Sequence, residues 1–151
     1  MLRISKLTDY GTIVMTYLAR EADRLHAASE IAGEIKLAAP TVSKILKMLA
    51  REGLVTSYRG AKGGYTLARK ADAISVVEII DALEGPVGLT ECGSTPGLCA
   101  QESSCSIRAN WQHINGAVRQ ALANVTLAQM AQPVHIVSPP RPRTTARAGA
   151  A

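Results

Sequence analysis

The chain has 151 residues and no Phe, and its apolar share of 47% is mostly Ala, Leu, Ile and Val. That composition allows one helical domain with appendages and an aliphatic core, while a net charge of +5 favours a polyanionic partner. No stretch approaches the roughly 18 apolar residues of a membrane span, and MLRISKLTDYG has neither a signal-peptide core nor a cleavage site, so a cytoplasmic protein without a membrane partner is expected.

Leu7 to Ala22 is predicted helical, with Leu7, Tyr10, Val14, Tyr17 and Leu18 on one face, Ser5 or Thr8 as N-cap, and Asp9 placed to complement the helix dipole. Residues 23–27 connect it to a short helix, Ala28–Ile35, which Ser29 could cap. A turn at Lys36–Ala39 leads to a second helix, Pro40–Glu52. There Val42, Ile45, Leu46, Leu49 and Ala50 form an apolar stripe and Thr41, Ser43, Lys44, Lys47 and Arg51 occupy the other face. Gly53 stops this helix. Leu54–Tyr58 and Tyr65–Ala68 then read as two strands around a glycine-rich turn, Arg59–Gly64, tipped by Arg59 and Lys62.

That order is a winged helix-turn-helix, so the expected fold class is mostly α with a small β-hairpin wing and a long dimerisation helix. Double-stranded promoter or operator DNA is the expected partner. Hydroxyls and amines on a helix start can bond base edges in the major groove, and cations at a wing tip can hold phosphates or enter the minor groove. The expected DNA-binding set is Thr41, Ser43, Lys44, Lys47, Arg51, Arg59, Lys62 and Tyr65. The charge is local. Residues 40–71 hold seven Lys or Arg against one acid, Glu52, whereas residues 72–105 hold six acids and no Lys or Arg.

Beyond the wing, Ser75 caps an apolar helix carrying Val76, Val77, Ile79, Ile80 and Leu83, and Glu84-Gly85-Pro86 ends it. Glu78, Asp81 and Glu84 share its outer side, most simply as a solvated face. Residues 85–106 have too few apolar groups to offset their chain entropy, yet they contain all three cysteines, Cys92, Cys99 and Cys105. The C-x6-C-x5-C spacing lacks the tight pairs of a zinc ribbon. By residue chemistry the thiols could hold an iron–sulfur cluster, hold zinc, or act as metal-free redox sensors. Ile107 to Met130 reads as one long helix with a narrow stripe of Ile107, Trp111, Ile114, Val118, Leu122 and Val125, suited to pairing with a second copy. From Gln132 the Pro/Ala/Arg/Thr-rich end is expected to be disordered, with Arg141, Arg143 and Arg147 adding non-specific attraction to DNA. The expected organisation is therefore a DNA-binding domain at 1–84, a cysteine loop at 85–106, a dimerisation helix at 107–131 and a tail at 132–151. An enzyme is not expected, because the three His are scattered and the thiols lack a nearby base.

Together KLTDYG, PTVSKILKMLAREGLV, RGAKGGYTLAR, ISVVEIIDALEG and ECGSTPGLCAQESSCSIRANW resemble the Rrf2 family of winged-helix transcription regulators, and within it the SUF-type regulators of iron–sulfur assembly. The resemblance spans about residues 1–131. It implies a homodimer with crossing long helices and an iron–sulfur cluster, 2Fe-2S or 4Fe-4S, on Cys92, Cys99 and Cys105 that governs promoter binding. Some members place a fourth ligand, a His, three residues after the last cysteine, where this chain has Arg108. Others use a carboxylate early in the first helix of the partner subunit, and Asp9 occupies that place. Glu91, Glu102, a small thiol or an open position are the alternatives. The other reading of the chain is a thiol-based or zinc-containing redox regulator without a cluster.

Overall fold

A computed structural model describes residues 3–132, so the tail from Pro133 onward, including Arg141, Arg143 and Arg147, lies outside the described residues. In chain order the elements are α1 (Lys6–Arg20), α2 (Ala28–Ile35), α3 (Ala39–Arg51), β1 (Val55–Tyr58), β2 (Gly64–Leu67), α4 (Val76–Glu84), α5 (Glu91–Ser94), α6 (Arg108–Ala123) and α7 (Leu127–Ala131). A mostly helical chain with one two-stranded hairpin is the fold class its residues predict.

The main core forms because α1, α2 and α3 each bury one apolar stripe against the others. Val14, Met15 and Leu18 of α1 meet Ile31 of α2 and Val42, Ile45, Leu46 and Leu49 of α3. Ser5 starts α1 by accepting a hydrogen bond from the Thr8 main-chain N–H at 3.3 Å. The cap of α2 is Ala27, with no side-chain bond, and not Ser29 as expected. Lys36, in the left-handed conformation at φ 56°, ends α2 and turns the chain toward α3.

The wing pairs antiparallel, with Val55 opposite Leu67 and Tyr58 opposite Gly64. Its free edge is covered by a residue that the sequence placed in a mere connection. The His26 N–H donates to the Tyr65 carbonyl at 3.0 Å, and the Tyr65 N–H donates back to His26 at 2.8 Å. The backbones approach so closely that a Cβ on Gly64 would stand 2.8 Å from the His26 oxygen, so glycine is required there by contact.

α4 belongs to two cores. Ile79 and Leu83 enter the main one, while Val76, Val77 and Ile80 join Val87 in a second cluster against Val118 and Leu122 of α6. Successive residues rotate about 100° around a helix, so these two sets lie on adjoining faces. The stretch 107–131 differs from the single long helix that its periodicity predicts. Thr126 accepts from the Gln129 N–H, and Gln129 returns a bond to the Thr126 N–H, so a capping box starts a new helix, α7. Val76 N–H to Val125 O at 2.9 Å and Leu127 N–H to Ile74 O at 2.8 Å zip the break onto the start of α4. The gain is burial: Leu127 is fully enclosed in the main core.

Candidate nucleic-acid interface and cysteine loop

α3 presents its polar side outward because its other side is consumed by the core. Pro40, Ser43, Lys44, Lys47 and Arg51 line one open concavity of about 450 Å³, with Met48 in its wall. Lys44, Lys47 and Arg51 are exposed and Ser43 is half-buried. Thr41 is half-buried and does not line that concavity, being about a quarter turn around the helix from Pro40. Arg59 and Lys62 are exposed at the wing tip, in the turn closed by the Gly63 N–H to the Gly60 carbonyl at 3.0 Å. Tyr65 is half-buried against the main core, and its main chain holds the wing to His26.

His26 was invisible as a structural residue in the sequence, and burial explains its importance. Its ring is fully enclosed; Nε2 lies 2.7 Å from the Glu21 carbonyl, and Nδ1 faces a Glu30 carboxylate oxygen at 3.2 Å. Tyr17 packs on it edge to face with centroids 5.2 Å apart. Arg24 hydrogen-bonds Glu30 from the other side and, with His26 assisting, holds that carboxyl down to about 2 from an ordinary 4.5. The joint thus fixes the distance between helix-turn-helix and wing.

The three thiols are all free and half-buried. Cys92 lies in α5 with its sulfur 3.3 Å from the Thr90 hydroxyl; Cys99 is in the loop; Cys105 stands at the root of α6, where its carbonyl accepts from the Arg108 N–H at 3.4 Å. No group of three His, Cys, Asp or Glu side chains is placed to hold a metal ion among the described residues. The donor set fits an iron–sulfur cluster, since three unpaired thiols share a loop without a core of its own, but this loop conformation does not gather them. Asp9 is exposed and lines a separate concavity with Arg3, Ile4, Ile80 and Met130, without a cysteine. His113 is exposed on α6.

A buried asparagine secures the loop. Asn115 of α6 accepts from the Leu89 N–H at 3.2 Å and donates to the Gly93 carbonyl at 3.0 Å and the Val87 carbonyl at 3.5 Å. Such a residue escapes sequence reading because its partners are main-chain groups of another segment. Glu102 is engaged by the Gly97 N–H and by the Arg108 guanidinium, both at 2.6 Å, so Arg108 stands as the partner of an alternative ligand.

The acids of α4 correct the expectation of a plainly solvated face. Asp81 takes a bidentate bond from Arg119 of α6 at 3.0 and 2.8 Å and also accepts from the Val87 N–H at 3.0 Å. Glu78 closes the capping box on Ser75 and pairs with Arg69 behind the wing. Glu84 accepts from the Ser5 N–H at 2.9 Å, and hydrogen bonds from Ser5 and Thr8 hold its carboxyl below the usual range. Each one joins α4 to a different element.

A helix-turn-helix followed by a clamped hairpin wing, with the cations gathered on the free face of the second helix and on the wing tip, defines a winged-helix DNA-binding regulator. The chain belongs to the Rrf2 family, whose profile, described as an iron-dependent transcriptional regulator, matches residues 4–133. A putative HTH-type transcriptional regulator of Aquifex aeolicus is 27% identical over 123 residues, covering 80% of this chain and 85% of that protein. Among solved structures, CymR, the global cysteine regulator of B. subtilis, is 32% identical with a TM-score of 0.68, covering 87% of this chain and 97% of that one. The IscR of T. potens is 29% identical with a TM-score of 0.65 and covers 85% of both chains. These relatives are transcriptional regulators and not enzymes, and no helix among the described residues is long and apolar enough to cross a membrane.

Proposed function

We propose that this DNA-binding regulator acts as a homodimer, that Cys92, Cys99 and Cys105 hold an iron–sulfur cluster, and that the cluster's state sets promoter affinity, with iron–sulfur assembly (SUF) genes as the regulated set. The observation that carries this reading is the position of three free thiols on a segment lashed to α6 through Asn115 and to α4 through Asp81. The family's description as iron-dependent supports it. Asp9 of the partner subunit is the proposed fourth ligand, because Glu102 is already held by Arg108. When bound, the group would supply an iron- and redox-sensitive crosslink among these side chains. The chain's own residues do the rest. Asn115 and the Arg119–Asp81 pair link the loop to α4, whose Ile79 and Leu83 sit in the same core as α3. Ile107, Trp111 and Ile114, at 52%, 36% and 43% exposure, offer α6 to a second copy. Two α3 helices would then enter successive major grooves roughly 34 Å apart. Thr41, Ser43, Lys44, Lys47, Arg51, Arg59, Lys62 and Tyr65 are the proposed DNA contacts.

A second reading, in which the cysteines respond directly without a cluster, is favoured by the likeness to the B. subtilis global cysteine regulator and by the ungathered thiols, with fixed zinc as its variant. Anaerobic purification separates the two. Brown protein with matching iron and sulfide, lost on Cys92→Ala, is the expected result; colourless protein containing zinc or no metal overturns the cluster reading and leaves the DNA-binding one intact.

A further inference from the structure

The outward face of α3 is cationic or hydroxylic for most of its length, with the half-buried Met48 in its wall, and turns apolar and exposed at its leading end. Ala38, Ala39 and Pro40 are three consecutive exposed apolar residues there, and the cap position, Ala38, has no side-chain hydrogen bond. Pro40 suits a first helical turn, but a helix start does not call for three exposed apolar residues in a row, since Ser, Asp or Asn at the cap would satisfy the free N–H groups and solvate the end. Pro40 lacks an N–H altogether and shares its concavity with Ser43, Lys44, Lys47 and Arg51, so it stands in line with the residues facing outward. Thr41, half-buried like Ser43, borders this concavity about a quarter turn round the helix from Pro40 without lining it.

We infer that Pro40 is a base-reading residue that packs its ring on the 5-methyl group of a thymine in the major groove, and that the operator therefore carries a thymine at one symmetric position in each half-site. The methyl is the one apolar feature a base pair offers in that groove, and an apolar side chain recognises it by excluding water. Lys44 and Lys47, one and two turns further along, are then left to guanine edges or phosphates. The inference rests on α3 being the helix that enters the groove.

The test uses the full-length protein as purified. Duplexes enriched from a random-sequence pool are resynthesised with uracil replacing each thymine in turn, which removes only the methyl. One thymine per half-site is expected to lose affinity by about fourfold when replaced, the effect of one buried methylene-sized group. Pro40→Ser should erase the difference between thymine and uracil duplexes, while Lys47→Ala should weaken both and preserve their ratio. If every uracil duplex binds like its parent, or if Pro40→Ser retains the ratio, Pro40 does not read thymine. Should Pro40→Ser misfold, Pro40→Ala carries the assignment, since it keeps a good helix former but removes the ring and should likewise bring the thymine and uracil duplexes together. A pool from which nothing is enriched removes the groove-entry reading, and this inference with it.

Discussion

The two halves of the molecule are held by different forces. Residues 6–84 close around an aliphatic core in which Val14, Met15, Ile31, Val42, Ile45, Leu46 and Leu49 are all fully buried. Residues 85–106 bury almost nothing apolar beyond Val87, and their shape depends on Asn115, Asp81 and the Glu102–Arg108 pair. Packing of the first kind admits one arrangement, because a close-packed interior resists partial change. The second half hangs on a handful of hydrogen bonds and ion pairs, each worth little net, so it can shift without disturbing the packed core. The DNA-binding half is stiff and the cysteine loop compliant.

The largest test of that contrast is in the stiff half. Leu46→Ala should lower the stability of the whole winged domain by about 2–5 kcal/mol, seen as a lower urea midpoint and the same shift by every probe. An intermediate effect is expected in the compliant half. Asn115→Ala strips the partner from Leu89 N–H and the Val87 and Gly93 carbonyls, and should cost about 1–3 kcal/mol locally. Amide exchange in 87–94 should speed up while α1 to α3 remain protected; equal acceleration in both halves would refute the division. The smallest effect concerns the joint behind the wing. Glu30 has its carboxyl depressed to about 2 from 4.5, so its contribution is complete above about pH 4.5 and is lost as pH falls toward 2. Glu30→Gln should flatten that part of the acid denaturation curve, and an unchanged curve would show that Arg24 and His26 do not depend on it.

The stiff half was largely legible in the sequence and the compliant half was not. α3 and the wing announce themselves through periodicity, Gly53 and the glycine turn, because each is set by local sequence. The break after α6 was readable in principle, as Thr126-x-x-Gln129 is a capping box, but the apolar stripe runs through it to Val125 and invites a single helix. What decides the break is the main core's demand for Leu127, a contact between distant parts of the chain. Asn115, His26 and the three acids of α4 were missed for the same reason. A polar residue shows its role only when the fold supplies the partner, as Arg119 does for Asp81 and the Glu21 carbonyl does for His26.

That α4 has one side in each core has a further consequence. Between Gly85 and Asn124 the chain leaves the DNA-binding half and comes back to it, re-entering through Leu127 at the base of the same helix. The intervening segment is in effect a cartridge clipped in at both ends. Such a segment can vary without rebuilding the main core, provided that it keeps an apolar seat for Val76, Val77 and Ile80 and a cation for Asp81.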